Sequence, residues 1–194
     1  MQARLDAQRC AILDAAGRIV AREGFAGSSI AAVATEAGIA SGTVYNHFDS
    51  KSDLLAEVFR ISVRREVDAV RQAAAVPTDT IEKATAVVET FAGRALKSPR
   101  LAYALLAEPV EQAVVGLRLE YGAQFRDVIA SVIQQGIDDS TLPPQNASVV
   151  ASALVGAIDA ALVRPLALGH TEPDTIPTLI TFVVRALGVP DGPT

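Results

Sequence analysis

One cysteine, Cys10, stands in 194 residues, so no disulfide can form within the chain. That scarcity fits a reducing compartment and gives the expectation of a cytoplasmic protein. Cys10 itself is expected on the inner half of the first helix, as an inert buried thiol. Histidine is nearly as scarce. His47 and His170 are the two present, and neither stands in a Cys/His/Asp/Glu cluster with metal-ligand spacing. The G-x-S-x-G, P-loop and dinucleotide fingerprints are absent as well. The sequence therefore gives no catalytic residue, no metal ligand and no cofactor, and the chain is read as a non-enzyme. Strand alternation, internal repeats and low-complexity segments are also missing. The opening MQARLDAQRC is polar and charged and does not read as a signal peptide.

An excess of positive charge is lacking too. The net charge is −5, which at first sight argues against nucleic acid. The charge is unevenly spread. Residues 1–75 hold nine Lys/Arg against nine Asp/Glu, and the remainder holds eight against thirteen, so the whole −5 lies in the remainder. A neutral head on an acidic body can still bind DNA through a local patch. Its non-specific affinity should be weak, because that contribution comes from neutralised phosphates.

Apolar residues are plentiful, at 50%. A large subunit interface or an apolar cavity would account for the surplus. Apolar positions recur at three and four throughout, so the chain reads as all-α. The first helix is expected over about Asp6 to Glu23, with Gly24 ending it. The stretch 24–51, GFAGSSIAAVATEAGIASGTVYNHFDSK, reads as helix, tight turn, helix and the start of another. Its first helix runs from about Ser29 to Ala37, with Ile30, Val33, Ala34 and Ala37 on one stripe. Gly38 follows, where a helix commonly ends in a left-handed residue. Ser41 is a natural N-cap for the second helix, expected to reach about Phe48. Helix-turn-helix readers place the second helix in the major groove, with its N-terminal residues at the base edges.

The register is specific. Arg9, Ile12, Leu13, Ala15 and Ala16 are followed by Gly24, Phe25, Ser28, Ser29, Ile30, Val33, Ala34, Ala37, Gly38 and Ile39. Gly42, Thr43, Tyr45, His47, Phe48, Ser50, Lys51, Leu54 and Leu55 then continue without a gap. In this pattern the first third of the chain resembles the DNA-binding domain of the TetR family of bacterial transcriptional regulators. The remainder resembles that family's ligand-binding and dimerisation domain in length and helical character only. There are departures. Ala31 and Ala32 stand where charged residues are frequent, and Gly42 where an arginine or lysine is common. The head therefore leans on backbone amides, hydroxyls and helix N-termini for phosphate contacts.

The resemblance implies a three-helix head over residues 5–65 and a larger helical body over residues 66–194. It implies a homodimer bound to a near-palindromic double-stranded DNA operator, most simply as a repressor. A small molecule in the body would weaken DNA binding. The candidate DNA contacts are Ser28, Ser29, Ser41, Gly42, Thr43, Tyr45, Asn46, His47 and Lys51. Each has a plainer alternative: core packing for Tyr45, a structural hydrogen bond for His47, helix capping for Ser28 and Ser29, a solvated cation for Lys51. Candidates for the effector pocket are Tyr103, Glu108, Glu111, Tyr121, Phe125, Arg126 and Asp159, tyrosine offering an apolar body with one polar handle. For each of these, an exposed or core position is the alternative.

Further helices are expected in the body. Ser50 caps the fourth, which Pro77 ends. Thr78 or Thr80 caps the fifth. A sixth covers about Arg100 to Glu108, and a seventh about Glu111 to Gln135, closing at Gly136. Asn146 or Ser148 caps the eighth, about Ala147 to Leu168, with Pro165 breaking it late. The ninth covers about Pro177 to Leu187. The eighth is apolar enough to suggest a membrane span. Asp159, Arg164 and its many small residues favour instead a helix buried on two sides, so the eighth and ninth helices are expected to form the dimer interface. A small helical enzyme and a protein-binding adaptor whose head has lost DNA are the competing readings.

Overall fold

The computed structural model describes residues 2–110 and 112–188. Among these residues the secondary structure is entirely helical. The elements are α1 (Gln2–Glu23), α2 (Ile30–Ala37), α3 (Ser41–Tyr45), α4 (Lys51–Ala75), α5 (Thr80–Lys97), α6 (Pro99–Leu106), α7 (Gln112–Asp138), α8 (Ala147–Leu168) and α9 (Thr175–Ala186). Two compact units result. The first joins Met1–Arg64 to Arg100–Leu119, and the second joins Arg65–Pro99 to Glu120–Thr194. A boundary near residue 65 would place 100–119 in the body, whereas this segment packs with the head.

The first unit is built on the α1 stripe Ile12, Ala15, Ala16, Ile19 and Val20, all essentially inaccessible. Val33 and Ala34 of α2, Val44 of α3, Phe48, and Leu54, Val58 and Phe59 of α4 complete this core. The rings of Phe25 and Phe59 lie 6.0 Å apart, inclined by 41°. Burying a side chain such as Phe59 contributes about 1.5–3 kcal/mol. Cys10 departs from expectation. It lies one position outside the buried stripe and is exposed.

The second unit gathers Val70, Val87 and Val128 around Phe91 and Phe125. Those two rings meet edge to face at 5.2 Å, a favoured aromatic geometry. A wholly aliphatic seam runs between α5, α7, α8 and α9, lined by residues such as Val87, Ile129, Ile133, Leu154 and Val183. It leaves about 10 Å³ of free space, close to the room one water needs.

Caps explain most helix ends. Ser29 accepts from the Ala32 amide, Ser50 from the Asp53 amide and Asn146 from the Val149 amide. Gly38 and Gly169 close α2 and α8 in the left-handed conformation. For α5 the cap is Asp79, which accepts from the Ile81 and Glu82 amides. Thr80 is the first helical residue instead and is buried. Gly136 does not end α7, which continues to Asp138. It provides a close approach: a Cβ there would stand 2.6 Å from Thr80 Cγ2 and 2.8 Å from Leu142. Pro165 does not break α8 either, and the helix reaches Leu168. α8 is long and apolar enough to cross a membrane by length and composition, with 28% of its apolar window buried. Its buried positions are Ala151, Leu154, Ile158, Leu162 and Leu166, at spacings of three and four. The face opposite exposes Ala153, Gly156 and Ala160.

Candidate nucleic-acid interface

The helix-turn-helix is held by local caps and backbone hydrogen bonds. α2 begins at the Ser29 cap, with Val33 N–H also returning to the Ser29 carbonyl at 2.9 Å. Gly38 adopts φ 68°, and its N–H reaches the Ala34 and Thr35 carbonyls. Ile39 N–H bonds the Ala34 carbonyl at 3.0 Å, which fixes the turn. α3 begins at Ser41 as expected, but Ser41 is not its cap. Ala40 occupies the cap position and its carbonyl accepts from Thr43 N–H at 2.9 Å, with no side-chain cap. Ser41 is consequently the first residue of α3, and its exposed hydroxyl is not spent on capping. α3 stops at Tyr45, not Phe48. Asn46 caps it, and the His47 and Phe48 amides return to the Val44 carbonyl at 3.0 and 3.1 Å.

This short helix separates the candidates by face. Val44 is the inward residue, wholly buried. Ser41, Gly42, Tyr45 and Asn46 are exposed and Thr43 is half-buried. Tyr45 is 56% exposed, so packing in the head core does not account for it. Lys51 opens α4 and is half-buried, at the N-terminus of that helix. Ion pairing does not engage it among the described residues. An exposed phenol, two hydroxyls, a lysine and a helix N-terminus form a donor set suited to phosphate and base edges.

Two candidates are spent elsewhere. Ser28 is 1% exposed, and its Oγ donates to the Gly24 carbonyl at 2.9 Å, so it cannot reach a phosphate from this position. His47 Nε2 lies 3.0 Å from Gln8 Oε1 and ties the end of α3 to α1. Arg9 is spent as well: its guanidinium lies over the Phe48 ring at 5.0 Å, with Glu57 3.8 Å away. Arg18 and Arg22 of α1 both reach Glu36 of α2, at 2.9 and 3.4 Å. The hydrogen bond from Arg18, with help from Arg22, holds the Glu36 carboxyl below its usual range.

The effector candidates do not form one group. Tyr103 and Glu108 belong to the first unit. Glu108 is 4% exposed, and its carboxylate accepts from head amides rather than standing open for a ligand. Glu111 lies outside the described residues. Tyr121, Phe125, Arg126 and Asp159 belong to the second unit, Tyr121 being buried and the other three half-buried. Arg126 precedes Ile129 and Ile133 at helical spacing, and those two line the aliphatic seam. Burial pushes the Asp159 carboxyl up to about 6, and no ion pair or hydrogen bond engages it among the described residues.

Residues 12–58 match the family described as bacterial regulatory proteins, tetR family. Over 138 residues the chain is 28% identical to the HTH-type transcriptional repressor KstR2 of Rhodococcus jostii, covering 69% of this chain and 67% of that protein. The structure of a TetR transcription regulator from Haloarcula marismortui superposes with a TM-score of 0.81 at 24% identity, over 94% of this chain and 97% of the other. The transcriptional regulator FadR from Bacillus subtilis, in complex with stearoyl-CoA, gives 0.78 at 18% identity over 92% and 97%. These two superpositions establish the fold.

Proposed function

Starting from a chain whose residues 12–58 match the tetR family of bacterial regulatory proteins, we propose that it is a member of that family and a homodimeric repressor of a near-palindromic operator, released by an apolar effector. The observation that carries this reading is α3, on which Tyr45 is exposed and Thr43 half-buried, followed a short loop later by Lys51 at the N-terminus of α4. The chain is a DNA-binding regulator, not an enzyme. Dimerisation through α8 and α9 is supported by the exposed small-residue face of α8 and by Phe182 of α9, 44% exposed. The α8 face is built of small residues up to the exposed Arg164, and Phe182 stands among Thr178, Thr181 and Arg185, an uncommon exposure for so large an apolar ring.

The effector is read as apolar because the seam between α5, α7, α8 and α9 is aliphatic. A long-chain acyl thioester is the first compound to test, since the FadR of matching fold holds stearoyl-CoA. Arg126, at the end of the Ile129–Ile133 stripe, would then meet an anionic group. To act as an inducer the ligand must prefer the arrangement that does not bind DNA.

Selection of duplexes from a random pool by the purified protein tests the core of this reading. The expected winner is a near-palindrome with half-sites one helical turn or a small multiple apart. Recovery of no preferred sequence would sink it.

A further inference from the structure

Glu108 stands 83 positions from Phe25 in sequence, yet its Oε2 accepts the Phe25 N–H at 2.9 Å. Oε1 accepts the Ala26 N–H at 3.4 Å and lies 3.0 Å from Arg100 Nη2. The same guanidinium also donates to the Glu23 carbonyl, at the last residue of α1. Arg118 holds the carboxylate's own backbone in place. Its guanidinium donates to the carbonyls of Ala104, Leu105 and Glu108, at 3.2, 2.9 and 2.8 Å. The carboxylate is nine-tenths or more buried, and all these partners fall within the first unit.

The segment so gripped is the turn between α1 and α2. Gly24 adopts φ 79°, and a Cβ there would stand 2.1 Å from Arg100 Nη2 and 2.5 Å from Glu108 Oε2. Both a left-handed backbone and this close approach call for glycine. From the turn the chain has little freedom before it reaches the reader. Ser28 N–H bonds the Phe25 carbonyl at 3.2 Å, Ser28 Oγ bonds the Gly24 carbonyl, and Ser29 then caps α2. α2 in turn carries the tight turn into α3.

We propose that Glu108 is a positioning residue for DNA recognition: supplied from outside the helix-turn-helix, its carboxylate fixes the α1–α2 turn and so sets where α2 and α3 stand. A buried carboxylate with two amide donors and a guanidinium is strongly held, and its hydrogen bonds are charge-assisted. The proposal rests on the DNA reading of α3, and its test separates the two.

The test compares Glu108→Gln and Arg100→Gln with the parent in the full chain. Hydrogen exchange of the free protein is the first readout. Glu108→Gln should speed exchange at Phe25, Ala26 and through α2–α3, leaving α5, α8 and α9 as in the parent. The second readout is affinity for the duplex that the parent selects from a random pool, set against a scrambled duplex of equal length. Loss of a buried charged acceptor should lower affinity for the selected duplex by about tenfold or more, Arg100→Gln by less. Affinity for the scrambled duplex should barely change, whereas unfolding would remove both. Unchanged exchange at Phe25 and Ala26, or faster exchange with selective affinity intact, overturns the proposal. A parent that selects no duplex would instead defeat the DNA reading, and exchange in α2–α3 would still decide whether Glu108 positions them.

Discussion

Asp159 carries the least comfortable charge in the second unit. Burial raises its carboxyl to about 6, above an ordinary value of 3.8. The folded chain therefore holds a proton between those values that the unfolded chain has released. Stability should fall as pH rises through that window and stay low above it. Asp159→Asn should remove this slope and raise stability at pH 7.5 by about 1–3 kcal/mol. Urea unfolding at pH 5 and pH 7.5 measures both effects, and an unchanged slope in the variant would refute the assignment. At the reading helix, Thr43→Ala and Tyr45→Ala should each weaken operator binding by about 1–3 kcal/mol. Ser28→Ala should instead lower folding stability by about 0.5–1.5 kcal/mol, because it leaves the Gly24 carbonyl without its buried donor. Titrations with labelled duplex and thermal unfolding separate the two classes. Tyr45 was a legible candidate through the contiguous motif around it, but the sequence left core packing open, and its 56% exposure decides against that. Ser28 was not legible, because only tertiary packing buries a hydroxyl that could equally have capped a helix.

Helix ends tell the same story at a larger scale. The cap Ser50 could be read from sequence, and Ser29 and Asn146 stood each as one of two neighbouring choices, since a cap bonds an amide three residues on and needs nothing distant. Asp79 was passed over for the neighbouring threonines, because adjacent polar residues offer the same chemistry and packing of Thr80 decides between them. Gly136 misled for a different reason. A glycine late in a helix signals an end when only local geometry is considered, whereas here its missing side chain admits Thr80 and Leu142. Two substitutions expose that difference. Gly93, in the middle of α5, has nothing within 4 Å of a built Cβ, so Gly93→Ala should stabilise by about 1 kcal/mol through helix propensity. Gly136→Ala gains the same propensity but must push aside buried carbon atoms, which costs about 1–3 kcal/mol, so it should be neutral to destabilising. Chemical denaturation of both variants checks the contrast; equal stabilisation would show that the Gly136 contact yields freely.

For the whole molecule, the head pattern was legible because its residues are contiguous, while the Glu108 contact joins residues 83 positions apart and leaves no local trace. The expected dimer is best tested on the exposed face of α8, since a position such as Ala157 is half-buried within its own subunit. Ala160 is exposed, so Ala160→Arg should leave the subunit folded and place an unpaired charge only in an interface formed by α8. Sedimentation at micromolar concentration should show a dimer for the parent and a folded monomer for the variant. A monomeric parent, or a variant that still dimerises, would remove α8 from the interface.

The ion pairs of the head have a kinetic side. Arg18 and Arg22 are held by Glu36, while Arg9 and Arg60 approach Glu57, so much of the head's positive charge is already answered by its own carboxylates. A protein of this kind draws little on long-range attraction to find DNA. Its encounter rate with an operator should sit near the unsteered range of about 10⁵–10⁶ M⁻¹ s⁻¹ and change little between low and moderate salt. Stopped-flow mixing at two ionic strengths would show it, a steep fall with salt being the contrary result. Such a regulator would glide only briefly along unrelated sequence and reach its site mainly by repeated collision from solution.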